Sequence, residues 1–128
     1  MPPELAEGSL AGLRVLVVED NYVQARSVAE CLAEAGAAVV GLAASISAAT
    51  AYVETSEIDI VVIDIYLSDG TSFDLARHLT NVGVPFLFVT GDDCESLPSD
   101  LQGKACLEKP YSEGQLIAAV AARAASRF

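Results

Sequence analysis

The sequence predicts an α/β domain, built as a doubly wound, five-stranded parallel sheet with helices on both faces. Two observations carry this. Short runs rich in Val, Ile, Leu and Phe alternate five times with segments of helical periodicity. The runs also end on polar residues: Glu19-Asp20, Asp64, Thr90-Gly91 and Lys109-Pro110. Parallel sheets deliver such groups to a crevice beyond the carboxyl ends of their strands.

The first run is Leu13 to Val18. The segment after it places Ala25, Val28, Ala29, Leu32 and Ala35 on one helical face, and Gly36 supplies a stop. Residues 38–42 form a second short strand, and 47–55 an Ala-rich helix. The third strand is 58–64. Ser72 then stands where an N-cap belongs, before a helix carrying Phe73, Ala76, Leu79 and Val82 and closed by Gly83 and Pro85. Residues 86–89 form the fourth strand. Residues 91–103 are polar and interrupted by Pro98 and Gly103, 105–107 form a short fifth strand, and 112–126 a final helix with Leu116, Ile117, Val120 and Ala124 inward.

Length and composition bound the function. The 128 residues suit one domain, and a hydrophobic content of 52% supports a packed core. The net charge is -11 with only seven Lys and Arg, which argues against nucleic acid and against an anionic membrane surface. The same charge suits a divalent cation or a basic protein surface. Cys31, Cys94 and Cys106 are odd in number and widely spaced. No disulfide framework or metal spacing follows, and reduced thiols in a cytosol fit best. The opening residues lack a basic start and a continuous apolar run, so no signal peptide is read there, and residues 1–11 are expected to be a flexible tail.

The chemistry is expected on the rim. Three carboxylates (Glu19, Asp20 and Asp64), the Thr90 hydroxyl and the Lys109 ammonium would share one crevice. Crowded carboxylates raise one another's proton affinity, and a hard divalent cation reverses that. Magnesium suits the all-oxygen set and leaves positions for phosphate oxygens. Lys109 can meet a phosphoryl oxygen as a point charge, and Asp64 can act as a nucleophile. Singly, each feature has a plain reading: an acidic pair at a helix start, an Asx turn, two loop signals. Their joint placement on four strand ends favours a site.

The motifs VVEDN, VVIDIYLSDG, FVTG and EKPY, in this order, resemble the receiver domain of two-component response regulators over residues 13 to 126. The resemblance implies a flavodoxin-like sheet of strand order 2-1-3-4-5, a receiver domain over 12–128, and no enzyme activity of its own. It implies Glu19 and Asp20 as the acidic pair for Mg²⁺, with Glu19 where Asp is more frequent. Asp64 would be the phosphoacceptor, and the Tyr66 backbone carbonyl a further metal ligand. Thr90 would be the switch hydroxyl, and Lys109, before a cis Pro110, the phosphoryl contact. The implied partners are a histidine kinase or histidine phosphotransfer protein and a downstream protein target, with the chain a cytoplasmic monomer or weak dimer and no part for nucleic acid or membrane.

Two departures stand out. Receivers usually carry an aromatic residue three before the lysine, where this chain has Cys106. The Thr90-to-Lys109 stretch is also shorter than the family's by roughly one helical turn. A short, distorted or mobile fourth helix is therefore expected, as in the subgroup that Phe88-Val89-Thr90-Gly91 resembles through its Phe-Ala-Thr-Gly signature. Other functions remain: an unphosphorylated interaction module, an aspartyl-phosphate phosphatase and a flavodoxin-like cofactor carrier. The phosphatase is disfavoured because Tyr66 occupies the place of its second Asp.

Overall fold

The computed structural model describes residues 8–125. Its elements run β1 (Arg14–Val18), α1 (Tyr22–Glu34), β2 (Ala38–Ala43), α2 (Ile46–Thr55) and β3 (Ile60–Asp64). A hairpin of two-residue strands follows, β4 (Tyr66–Leu67) and β5 (Gly70–Thr71), then α3 (Phe73–Val82) and β6 (Phe86–Thr90). Two 3₁₀ turns (Cys94–Ser96 and Ser99–Leu101), β7 (Cys106–Glu108) and α4 (Glu113–Ala125) complete the chain. The main sheet is parallel, in the order β2-β1-β3-β6-β7. That is the expected 2-1-3-4-5 arrangement, with the small hairpin added between the third and fourth main strands.

Strand side chains alternate between two faces, so neighbouring residues feed different cores. Val15, Val17, Ile60, Val62, Leu87 and Val89 pack against Ala25, Val28 and Leu32 of α1 and Leu116, Ile117 and Val120 of α4. Leu16, Val18, Val61, Ile63, Phe86 and Phe88 face the other way, toward Ala49 of α2 and Leu75, Ala76 and Leu79 of α3. This explains why the strands read as unbroken apolar runs: both faces are covered.

No α-helix forms between β6 and β7. Pro98 removes a backbone donor, and the two 3₁₀ turns take the helix's place. Asp93 caps the first turn by accepting from the Glu95 amide at 2.9 Å. Leu97 and Leu101 nevertheless reach the second core, where they are almost fully buried. A segment without an α-helix thus still supplies apolar cover over β6.

Several local expectations change. Of the expected N-terminal tail, residues 1–7 lie outside the described residues, but Leu10 is fully buried and its amide donates to Ala35 O at 2.9 Å. Ser72 opens α3 without a side-chain cap bond; its buried hydroxyl instead donates to the Asp64 carbonyl at 2.8 Å. Asp69, in the turn between β4 and β5, accepts from the Ile46 and Ser47 amides and so caps α2 from the hairpin. The Ile46 amide is the main reason its carboxyl lies below the usual range.

The reduced-thiol expectation is corrected for two of the three cysteines: Cys94 and Cys106 form a disulfide. Spacing along the chain could not show this. Parallel pairing sets Cys106 beside Phe88, and the turn after Thr90 folds back over β7. Cys31 is a free, buried core residue.

The role of the 3₁₀ segment is open to a direct measurement. Leu101→Ala should lower unfolding free energy in urea by about 2–4 kcal/mol, against about 0.5 kcal/mol or less for the exposed Val23→Ala. Equal losses would mean that Leu101 is not core.

Candidate functional site

The rim of the sheet is assembled by strand register. β1 and β3 pair as neighbours, with Val18 beside Ile63, so Glu19 and Asp64 leave adjacent strands at the same height. β3 and β6 pair Asp64 with Val89, and β6 and β7 pair Thr90 with Glu108, which brings Lys109 to the same edge. The Lys109 amide donates to Thr90 O at 2.7 Å, and the peptide bond before Pro110 is cis, as expected.

The Lys109 ammonium stands between the two carboxylates. Its Nζ donates to Glu19 Oε1 and Asp64 Oδ2, each at 3.3 Å, and to Gln24 Oε1 at 2.8 Å. The Glu19 side chain is 6% exposed and that of Asp64 13%, so both acids are largely shielded from water. Burial is the main force raising the Glu19 pKa, and neighbouring Asp64 adds to it. The Asn21 amide, donating to Glu19 Oε2 at 3.1 Å, and the charge of Lys109 oppose the rise without cancelling it. For Lys109, burial disfavours the charged form, but Asp64 and Glu19 outweigh it and leave the pKa raised. The lysine is therefore held charged by the acids it separates.

The other sequence-predicted residues stand differently. Asp20 is exposed, and among the described residues no three His, Cys, Asp or Glu side chains gather closely enough to hold a metal. Tyr66 lies two residues beyond Asp64 in β4, with an exposed side chain. Thr90 is fully buried, and its hydroxyl accepts from the Asp92 amide at 3.0 Å. The structure brings Glu19, Asp64 and Lys109 into contact and leaves Asp20 and the Thr90 hydroxyl outside that cluster. The donor set still suits magnesium, which commonly takes one or two carboxylates and completes its shell with water. A cation there would offset the same crowding that raises Glu19.

Two residues escaped the sequence reading. Gln24 supplies the shortest of the three Lys109 bonds while its own amide satisfies the N-cap Asn21. Its signal was its place one helical turn after Asp20. Ser72 holds the backbone of Asp64 and had been taken for a cap. A cavity of about 600 Å³ lies at the opposite end of the strands, lined by Leu79, Pro85, Leu87, Ala105 and Arg123. It has no carboxylate in its wall and no share in this rim.

A model of the response regulator receiver domain matches residues 15–121, most of the chain. The chain belongs to that family. As a receiver it is a module of two-component signalling. Its fold is also similar to solved receivers. The response regulator PhyR from Brucella abortus superposes with a TM-score of 0.82 at 23% identity, over 97% of this chain and 51% of that one. SdrG from Sphingomonas melonis Fr1 gives 0.73 at 28% identity, covering 93% and 97%. The receiver domain of HemR from Leptospira biflexa gives 0.75 at 28%, covering 88% and 94%. The receiver thus spans about half the length of that PhyR and nearly all of SdrG. No curated protein matches. No helix among the described residues is long and apolar enough to cross a membrane.

The raised Glu19 pKa has a defined sign. The folded receiver binds this proton more tightly than the unfolded chain, so the group's contribution to stability falls as pH rises from 4.5 through the raised value. Glu19→Gln should therefore raise the thermal midpoint at about pH 7 in metal-free buffer, with the gain shrinking toward about pH 4.5. A lowered midpoint would show that Glu19 is needed ionised to pair with Lys109.

Proposed function

We propose that the receiver accepts a phosphoryl group on Asp64 from a phosphohistidine on a histidine kinase or histidine phosphotransfer protein. One observation carries this reading: Asp64 ends β3 in contact with Lys109, beside the buried carboxylate of Glu19. A carboxylate so placed is an oriented nucleophile with a fixed cation at its side. In the transfer, an Asp64 oxygen forms the new bond to phosphorus while the donor's N–P bond breaks and the imidazole keeps the electron pair. Ser72 holds the Asp64 backbone, and Gln24 and Glu19 hold Lys109.

Mg²⁺ would be held by Glu19, Asp20, Asp64 and the Tyr66 carbonyl, Asp20 turning inward to join the pair. When bound, the ion neutralises phosphoryl charge and keeps the carboxylates ionised. Lys109 then meets a phosphoryl oxygen. The Thr90 hydroxyl, now engaged by the Asp92 amide, is the switch: turning toward the phosphoryl group releases that amide and moves the segment after it. The output is docking to a downstream protein by a cytoplasmic monomer or weak dimer, with no part for nucleic acid or membrane.

An unphosphorylated interaction module is the second reading, favoured by the separate position of Asp20. Incubation with acetyl phosphate and Mg²⁺, followed by intact mass, separates the two. One added phosphoryl group is expected, lost with chelator and in Asp64→Asn. No uptake by the wild type, or equal uptake by Asp64→Asn, would end the phosphoacceptor reading.

A further inference from the structure

The proposed switch segment is covalently closed. Cys94 lies four residues after Thr90, Cys106 lies three before Lys109, and their disulfide joins the two arms with Cα atoms 6.0 Å apart. The link therefore ties the segment that leaves the switch hydroxyl to the strand that delivers the phosphoryl-binding lysine. Cys106 also occupies the place where receivers usually have an aromatic side chain, so the bond stands where a moving ring would otherwise be.

What holds the segment apart from this bond is modest. The Cys94 amide donates to Glu108 Oε2 at 2.9 Å, and the Gln102 side chain donates to Glu95 O at 2.7 Å and Leu97 O at 2.6 Å. An exposed ion pair from Arg77 of α3 to Asp100, at 2.7 and 3.0 Å, adds a surface tie. Leu97 and Leu101 anchor it to the core, and its regular structure amounts to two three-residue 3₁₀ turns, Cys94–Ser96 and Ser99–Leu101. Short turns with surface hydrogen bonds belong to the part of a fold that opens first. Both cysteines are only half-buried, with Cys106 at the edge of the second core, so the bond is not sealed inside the core. In the reducing compartment of the proposed function, disulfides are characteristically transient and regulatory.

We propose that Cys94 and Cys106 form a reversible redox site that sets how far the segment after Thr90 can follow phosphorylation of Asp64. Closed, the disulfide pins residues 91–105 to β7 and mutes the response. Opened by a dithiol, it becomes two thiols: the dithiol gives two electrons and two protons and is itself oxidised to a disulfide. The freed segment can then rearrange with Thr90. Cys31 takes no part, because it is buried in the core and burial pushes its thiol up to about 11. This inference rests on the phosphoacceptor reading.

The test uses the full chain equilibrated with either oxidised or reduced dithiothreitol. Alkylation after denaturation should count one thiol, Cys31, in the first sample and all three in the second. Each sample is then phosphorylated with acetyl phosphate and Mg²⁺, and amide exchange is read over residues 91–105. Phosphoryl uptake is expected in both, with the change in exchange on phosphorylation about tenfold larger in the reduced sample. Cys94→Ser and Cys106→Ser should respond like the reduced protein whatever the dithiol. Uptake with equal responses overturns this inference alone, as do three thiols in the oxidised sample. No uptake in either sample overturns the phosphoacceptor reading and this inference with it.

Discussion

Two carboxylates, Glu19 and Asp64, leave neighbouring parallel strands at one height and are largely removed from water. Such a pair resists double ionisation unless a cation lies against it. Lys109 meets that need across a separation of 45 residues from Asp64 and 90 from Glu19. Much of the rim serves this contact: the β6–β7 pairing that delivers the lysine, the Lys109 amide bonded to Thr90 O, and Gln24, which accepts a third hydrogen bond from the Lys109 ammonium. The attraction is strong because water is excluded, and the cost of burying Glu19 is high for the same reason.

That balance leaves the rim a burden on stability. Glu19 is held above its ordinary pKa, mainly by burial, and the lysine relieves only part of the strain. A site that leaves electrostatic work undone is one where an added charge has a favourable place to go. The surrounding fold offsets the burden through two full cores, one on each sheet face, whose side chains alternate along every main strand.

The stretch between β6 and β7 shows how a fold tolerates losing an element. What it must supply is apolar cover for Phe88 and its neighbours, and Leu97 and Leu101 supply it from 3₁₀ turns. A covalent restraint, through Cys94 and Cys106, is added to these anchors. Helix packing, which would spread cohesion over many contacts, is replaced by two buried anchors, one covalent bond and a few surface ties such as Arg77–Asp100 and Cys94 N to Glu108. A segment held at few points changes its behaviour when one point is released.

Much of this was legible in the chain because it depends on local pattern. Alternating apolar runs and helical periods set the strand–helix order, and the polar residues ending those runs located the rim: Glu19, Asp64, Thr90 and Lys109 are all at strand ends. Interactions between distant segments were not legible. Ser72 looked like a cap because Ser before a helix usually is one, yet its hydroxyl reaches the Asp64 carbonyl eight residues back. Asp69, in a hairpin turn, caps a helix whose start lies 23 residues earlier. The Cys94–Cys106 bond and the Gln24 contact with Lys109 need the β6–β7 pairing and the packing of α1 before either partner is near the other. Periodicity and strand-end chemistry are properties of neighbours along the backbone, so sequence alone determined the architecture and the place of the site. Which side chains meet across that rim depends on register and rotamer, and only the folded chain decided it.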